Sequence, residues 1–382
     1  MPSERLPAPV WIADPAALKK LALELSSQPR LAVDTESNSL HAFREQLCLV
    51  QFSSPGIDYL VDPLALEDLA PLQPVFADPG IEMVFHAADY DLACLKRDFN
   101  ITVAKLFDTM QAARILGYKR VGLDSVLEEK LGIKLDKKYQ KADWGERPLS
   151  REMLNYARLD THHLLDLRDC LHAELQSRGR WELAREEFVR LSLGNGNGKV
   201  EIPPWQRVKG TQKFNDRQLT ILQELCDWRE TQARQMDRPP FKVIDNKRLT
   251  GIVQTLPETP DDLSALGLTY RQVHLFGGEI LKAVGRGKRT ALVSRPRTRR
   301  PNQAFLNRLN ALSEWRKTVG VKTGVDSDII LPKNWMHLIA EENPRNMEEL
   351  AVLMPLAPWR LEQFGSEILK TILTKYKGGA PG

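Results

Sequence analysis

The feature that most constrains this chain is a repeat in its second half. Leu225-Cys226-Asp227-Trp228-Arg229 recurs as Leu312-Ser313-Glu314-Trp315-Arg316, 87 positions on. Pro257 and Leu263 recur as Pro344 and Leu350 at the same spacing, and Phe276–Lys282 recurs as Phe364–Lys370 at a spacing of 88. Three blocks in one order, with one insertion, define two copies of a helical domain of about 80 residues. A stretch rich in Gly, Asn and Pro, residues 192–210, separates the pair from what precedes it and has linker composition. Residues 285–301 join the copies and hold seven Lys/Arg and no acid. This junction reads as a solvated tether, as a phosphate contact, or as both.

The first half alternates strand and helix signals. Leu31–Val33, Gln46–Ser53, Ile57–Val61 and Met83–Phe85 read as strands, with Ser54-Pro55-Gly56 as a turn. Helices are expected at about 88–98, 109–116, 123–131 and 150–176. This pattern predicts an α/β domain with a mixed sheet. The domains expected are 1–191, a linker at 192–210, helical copies at 211–290 and 301–382, and a basic linker at 291–300.

Charge divides along the same boundary. Residues 1–190 carry 24 Lys+Arg against 30 Asp+Glu, and the remainder carries 30 against 20. An acidic half beside a basic half suits carboxylate chemistry in one and polyanion binding in the other. Apolar runs such as Leu47–Val50 are strand-sized, and the N-terminus lacks a signal-peptide pattern, so a cytoplasmic protein without a membrane span is expected. Cys48, Cys94, Cys170 and Cys226 form no CxxC pair, which argues for buried free thiols over a zinc site.

Acids stand at three places. Asp34 and Glu36 flank Thr35 at a strand end, where alternation points both carboxylates one way. Such a pair repels itself unless a hard divalent cation lies between. His86-Ala87-Ala88-Asp89-Tyr90-Asp91-Leu92 follows the fourth strand, and the residue pattern does not choose between Asp89 and Asp91; Asp89 is also a natural helix cap. Tyr156 and Asp160 lie at i and i+4 of a helix that Ser150 can cap, so phenol and carboxylate share a face. A metal-bound acid one turn from a phenol suits hydrolysis, with the phenol orienting or deprotonating water.

The segments VDTES, HAADYDL and YARLD resemble the three motifs of the DEDDy exonuclease superfamily. GLDSVLEEKLGIKLDKKYQKADWGERPLS resembles the stretch before the third motif in ribonuclease D and its exosome relatives. The repeated domain resembles the HRDC domain, so the resemblance spans about residues 10–375. It implies a ribonuclease H-like α/β exonuclease domain, with flanking helices, followed by two all-α HRDC domains. It implies a 3′-5′ exoribonuclease that releases nucleoside 5′-monophosphates by two-metal hydrolysis, acting on RNA with a free 3′ end, transfer RNA precursors among them. By position, Asp34, Glu36, Asp91 and Asp160 become ligands of two Mg²⁺ or Mn²⁺ ions and Tyr156 the fifth catalytic residue. Thr35 and His86 are expected to approach the terminal nucleotide. Trp144 and Arg147 are open between RNA contact and a structural role, and Asp108 reads as a cap. The wording around Asn38, Ser39 and the 46–53 strand is closer to the exosome relatives, which leaves subfamily open. Rival readings are a DNA exonuclease, a non-catalytic RNA-binding protein and a helicase accessory module. A P-loop motor is excluded by the lack of a Gly-x-x-x-x-Gly-Lys-[Ser/Thr] sequence. A monomer is expected, its tandem domains closing a ring around substrate.

Overall fold

The computed structural model describes residues 6–66, 68–194, 202–295 and 302–374. The Gly-Asn repeat at 195–200 and the end of the basic run at 296–300 lie outside the described residues. Six strands form one sheet: β1 (Val10–Ile12), β2 (Arg30–Ser37), β3 (Leu47–Ser54), β4 (Ile57–Val61), β5 (Glu82–Phe85) and β6 (Leu106–Asp108), in the order β1-β4-β3-β2-β5-β6. β3 and β4 pair antiparallel through a turn at Gly56, whose φ of +85° suits the residue without a Cβ. β1 pairs parallel to β4, β2 to β5 and β5 to β6, so the sheet is mixed, as the alternation predicts. β1 and β6 are three residues each, too short for a period-2 signal.

β3 is buried at seven of its eight positions, because both faces of the sheet are covered there. On one side, the helix Arg151–His162 packs Met153 and Ala157 over Cys48, Leu49 and Leu60. The expected 150–176 helix is instead two, Arg151–His162 and Leu164–Ser177, parted at His163. Thr161 explains the break: its hydroxyl bonds back to the Arg158 carbonyl at 3.2 Å and lies 2.7 Å from Ser53, which competes with the helical ladder. Cys48, Cys94 and Cys226 are buried free thiols, whereas Cys170 is exposed.

The helical copies match element for element. The first runs Asp216–Gln235, Pro240–Val243, Asn246–Thr255, Pro260–Ala265 and Tyr270–Gly287; the second runs Gln303–Thr323, Ser327–Ile330, Lys333–Glu342, Met347–Leu353 and Pro358–Leu373. The first four helices start 87 residues apart and the fifth 88, which places the insertion just before the last helix.

Two compact units result. One holds the α/β part with the second helical copy; the other holds the first copy and the excursion Ser37–Gln46. In the first unit, Ile329 and Ile330 join the α/β core, and a fully buried Arg360 pairs with Glu186 at 3.0 Å and Glu187 at 2.9 Å. In the second, Phe43 packs on the helical core, its N–H donating to Asp237 at 3.1 Å. Among the described residues, no helix is long and apolar enough to cross a membrane.

Candidate active site

β2 carries Asp34 and Glu36 on one face, two residues apart, and both are half-buried. Asp160 arrives from the helix Arg151–His162, whose start is fixed by the Ser150 hydroxyl accepting from the Met153 N–H at 3.2 Å. Single carboxylate oxygens of Asp34, Glu36 and Asp160 all lie within 4.8 Å of one another. Oxygens about 2.1–2.4 Å from one ion are separated by up to about 4–5 Å, so this spacing fits a hard divalent cation. Among the described residues, no Lys or Arg forms an ion pair with these acids.

Asp91 stands beside them. It is buried in the first turn of the helix Asp89–Phe99, and its Oδ1 accepts from the Thr35 hydroxyl. Asp89, by contrast, is exposed, and the charges that act on it are Arg190, Glu187 and Arg114. Nor does Asp89 cap its helix. The chain entering that helix is held instead by Asp108 at the end of β6, which accepts from the N–H groups of Ala87 at 3.2 Å and Ala88 at 2.8 Å. Asp108 also accepts from Gln111 at 3.0 Å, capping the helix Thr109–Leu116. One buried carboxylate thus fixes two helix starts and holds Ala87 at a φ of +67°.

The electrostatics follow from crowding. Burial first, then the charge of Asp160, raises Asp34 well above the ordinary carboxylate range. Burial and Asp34 do the same to Glu36 and to Asp91, and burial pushes Asp160 up to about 7. A cation among them would restore all four to the ionised form. Burial, followed by the charges of Asp160, Glu36 and Asp34, also raises the Tyr156 phenol, so it keeps its proton at neutral pH. Its ring is wedged by Tyr139 and Trp144, with centroids 5.8 and 6.1 Å away. Beside it opens a cavity of about 310 Å³ bordered by Lys138, Tyr139, Asn155 and Asp160.

The remaining residues singled out in the sequence fall as follows. Thr35 is buried, its hydroxyl engaged by Asp91. His86 places Nδ1 2.9 Å from the Thr109 hydroxyl, and burial lowers its pKa to about 4, leaving it neutral. Trp144 is buried. Arg147 grips Asp62 at 2.8 and 2.6 Å and the carbonyls of Cys48 and Trp144, bracing the loop before the Asp160 helix. Two features went unread. Gln51 is wholly buried, with Nε2 3.4 Å from Asp34 Oδ2; a lone amide inside the run LCLVQF was the available signal. Asp58 binds His162 at 2.9 Å and Ser53 at 2.7 Å beneath the Asp160 helix, and burial notwithstanding, His162 and Ser53 lower its pKa.

Comparison with known proteins agrees with this geometry. The 3′-5′ exonuclease family matches residues 9–176, and the HRDC domain family matches 218–284 and 305–372. The chain is 36% identical over 273 residues to Protein RRP6-like 2 of Arabidopsis thaliana, a match that covers 68% of the chain and 31% of the relative. It thus spans about a third of that protein's length. It is 29% identical over 378 residues to Ribonuclease D of Granulibacter bethesdensis, covering 96% of the chain and 93% of the relative. In fold it is similar to the RNase D crystal structure from Escherichia coli, with a TM-score of 0.69 and 24% identity over 97% of this chain and 100% of that one. A 3′-5′ exonuclease domain thus stands ahead of two HRDC domains, in a chain that is similar over nearly its whole length to a ribonuclease D.

Proposed function

We propose that the chain is a 3′-5′ exoribonuclease that hydrolyses the terminal phosphodiester of RNA and releases nucleoside 5′-monophosphates. The observation that carries this reading is the convergence of Asp34, Glu36 and Asp160 within 4.8 Å, with Asp91 beside them and Tyr156 one turn away. Asp34, Glu36, Asp91 and Asp160 would hold two divalent ions, Mg²⁺ or Mn²⁺. When bound, these ions supply an activated water and stabilise charge on the phosphorane and the leaving 3′ oxygen. Thr35 fixes the Asp91 carboxylate for that task. Tyr156, protonated, donates its O–H to orient the attacking water. The water oxygen bonds to phosphorus, the P–O3′ bond breaks, and the 3′ oxygen takes up a proton. His86, neutral, borders the terminal nucleotide without adding charge. The substrates are RNAs with a free 3′ end, transfer RNA precursors among them, met in the cytoplasm by a monomer.

The test uses a 5′-labelled single-stranded RNA with a short 3′ tail, given Mg²⁺, Mn²⁺ or a chelator and run on a sequencing gel beside a DNA of the same sequence. A metal-dependent ladder shortening from the 3′ end of the RNA, absent in Asp160→Asn, is the expected result. No shortening with either ion, while binding persists, overturns the proposal.

A further inference from the structure

The face of the sheet that meets the helix Arg151–His162 is not uniformly apolar. Gln51 and Ser53 stand on one face of β3, two residues apart, and Ser53 lies directly opposite Asp58 of β4. All three are buried, as are Arg158 and Thr161 of the helix above them. Buried polar groups are costly unless they are joined, and these meet around Asp58. Its carboxylate accepts from Ser53 Oγ at 2.7 Å and from His162 Nδ1 at 2.9 Å, and Arg158 Nε lies 3.8 Å away. Facing an acceptor, His162 Nδ1 carries the proton. The Ser53 oxygen also stands 2.7 Å from the Thr161 hydroxyl, and Arg158 reaches on to the Pro7 carbonyl.

A helix turns about 100° per residue, and this sorts the side chains into three rows. Ala157 and Thr161 face the sheet, Tyr156 and Asp160 lie on one flank, and Arg158 and His162 lie on the other. Packing by Met153 and Ala157 sets the height of the helix over β3 but resists roll about its axis weakly, since one side chain is pliant and the other small. A carboxylate about 5 Å from the axis moves about 1 Å for a roll of about 10°. Ion ligands tolerate about 0.2 Å, and a misplacement of about 1 Å can cost about 10²-fold in rate. The bonds to Asp58 and Ser53 grip the flank opposite Asp160 and the row between, so they fix the roll that packing leaves loose. From the same face of β3, Gln51 Nε2 approaches Asp34 Oδ2 at 3.4 Å, so the acids of β2 and of the helix are set against one strand.

We infer that Asp58 is a positioning residue for the candidate active site: anchored on β4, it holds the Arg158–His162 flank of the helix so that Asp160 and Tyr156 meet Asp34 and Glu36 at the roll a shared ion requires. The inference rests on these acids holding divalent ions. It is tested by calorimetric titration of the intact chain with Mn²⁺, well below the melting temperature of each variant, beside single-turnover cleavage of the labelled RNA at saturating Mn²⁺. His162→Phe keeps a ring and removes the N–H, and because His162 is half-buried the fold survives the change. It is expected to weaken Mn²⁺ binding about tenfold and to slow cleavage by about 10²-fold, with RNA affinity in chelator unchanged. His162→Asn, whose amide N–H takes the place of Nδ1, is expected to restore most of both. Asp58→Asn turns an amide toward one of its donors and should lose at least as much as His162→Phe. A contact that served folding alone would lower the thermal midpoint and leave Mn²⁺ affinity and cleavage as they were. That result in His162→Phe overturns the inference, and so does a His162→Asn no better than His162→Phe. Should the unaltered chain bind Mn²⁺ yet shorten no RNA, the nuclease reading falls, and the Mn²⁺ affinities of the variants still decide the role of Asp58.

Discussion

Asp160→Asn separates the cost of the acidic cluster from its use. The Asp160 carboxyl is raised by burial from 3.8 to about 7. In the metal-free fold it therefore holds a proton that the unfolded chain has given up. The fold binds more protons than the unfolded state between these values, so stability falls as pH rises from about 4 to about 7, and the full cost stands above that. At 1.36 kcal/mol per unit the cost is about 4 kcal/mol. The amide keeps the shape without the charge, and it also removes a repulsive neighbour from Asp34 and Glu36. In chelator at pH 8 the variant should melt about 10 °C above the unaltered chain, at roughly 2–4 °C per kcal/mol for a fold of this size. At pH 5 the gain should shrink to less than half of its value at pH 8, and at pH 4 it should nearly vanish. With saturating Mn²⁺ the order should reverse, because only the intact set of acids gains the binding energy of the ion. Differential scanning calorimetry across pH reads all of this. An unchanged midpoint at pH 8 in chelator, or a gain independent of pH, would refute the reasoning.

Three further outcomes follow from the same geometry. Tyr156→Phe should lower single-turnover cleavage by about 10²–10³-fold while leaving RNA affinity unchanged, since it removes the orienting O–H and keeps the ring between Tyr139 and Trp144. Asp108→Ala leaves the N–H groups of Ala87, Ala88 and Gln111 without their acceptor, and urea unfolding should show a loss of about 2–4 kcal/mol. Arg360→Ala leaves Glu186 buried without its cation and Glu187 with Arg190 alone, and should cost about 3–5 kcal/mol in thermal unfolding. Combining Arg360→Met with Glu186→Gln should recover part of it, because the amide keeps an acceptor for the N–H groups of residues 359 and 360 while Glu187 keeps its ion pair with Arg190.

The acids were legible because each sits where local rules place it: Asp34 and Glu36 by strand alternation, Tyr156 and Asp160 by the helical turn after the Ser150 cap. The choice of Asp91 over Asp89 was not available locally. Both lie in the first turn of one helix, and only the fold shows that Asp91 turns inward to Thr35 while Asp89 is left to Arg190 and Arg114. The repeat was legible for a different reason, since duplicated apolar and aromatic positions survive in the sequence as a fixed offset. Docking of the second copy was not legible. It depends on Arg360, which reads as an ordinary surface cation until Glu186 and Glu187 are brought to it from 174 and 173 residues away. The short strands β1 and β6 escaped because three residues carry no periodicity, and their place is set by pairing with β4 and β5.

Burying Arg360 against two acids is a poor way to gain stability, because desolvation offsets most of the attraction. Position gives it a clearer role. Glu186 and Glu187 lie on the helix Trp181–Ser192, whose Phe188 packs on Phe107 of β6 at 4.8 Å between ring centroids. The next residue of β6 is Asp108, which pins the N–H groups of Ala87 and Ala88, and those open the helix that carries Asp91. Docking of the second copy and placement of the Asp91 carboxylate are therefore two ends of one packed scaffold. An apolar dock of the same area would tolerate sliding. An arginine that must meet two carboxylates and the Ile329 carbonyl together fixes one register, and with it the helix on which β6 rests.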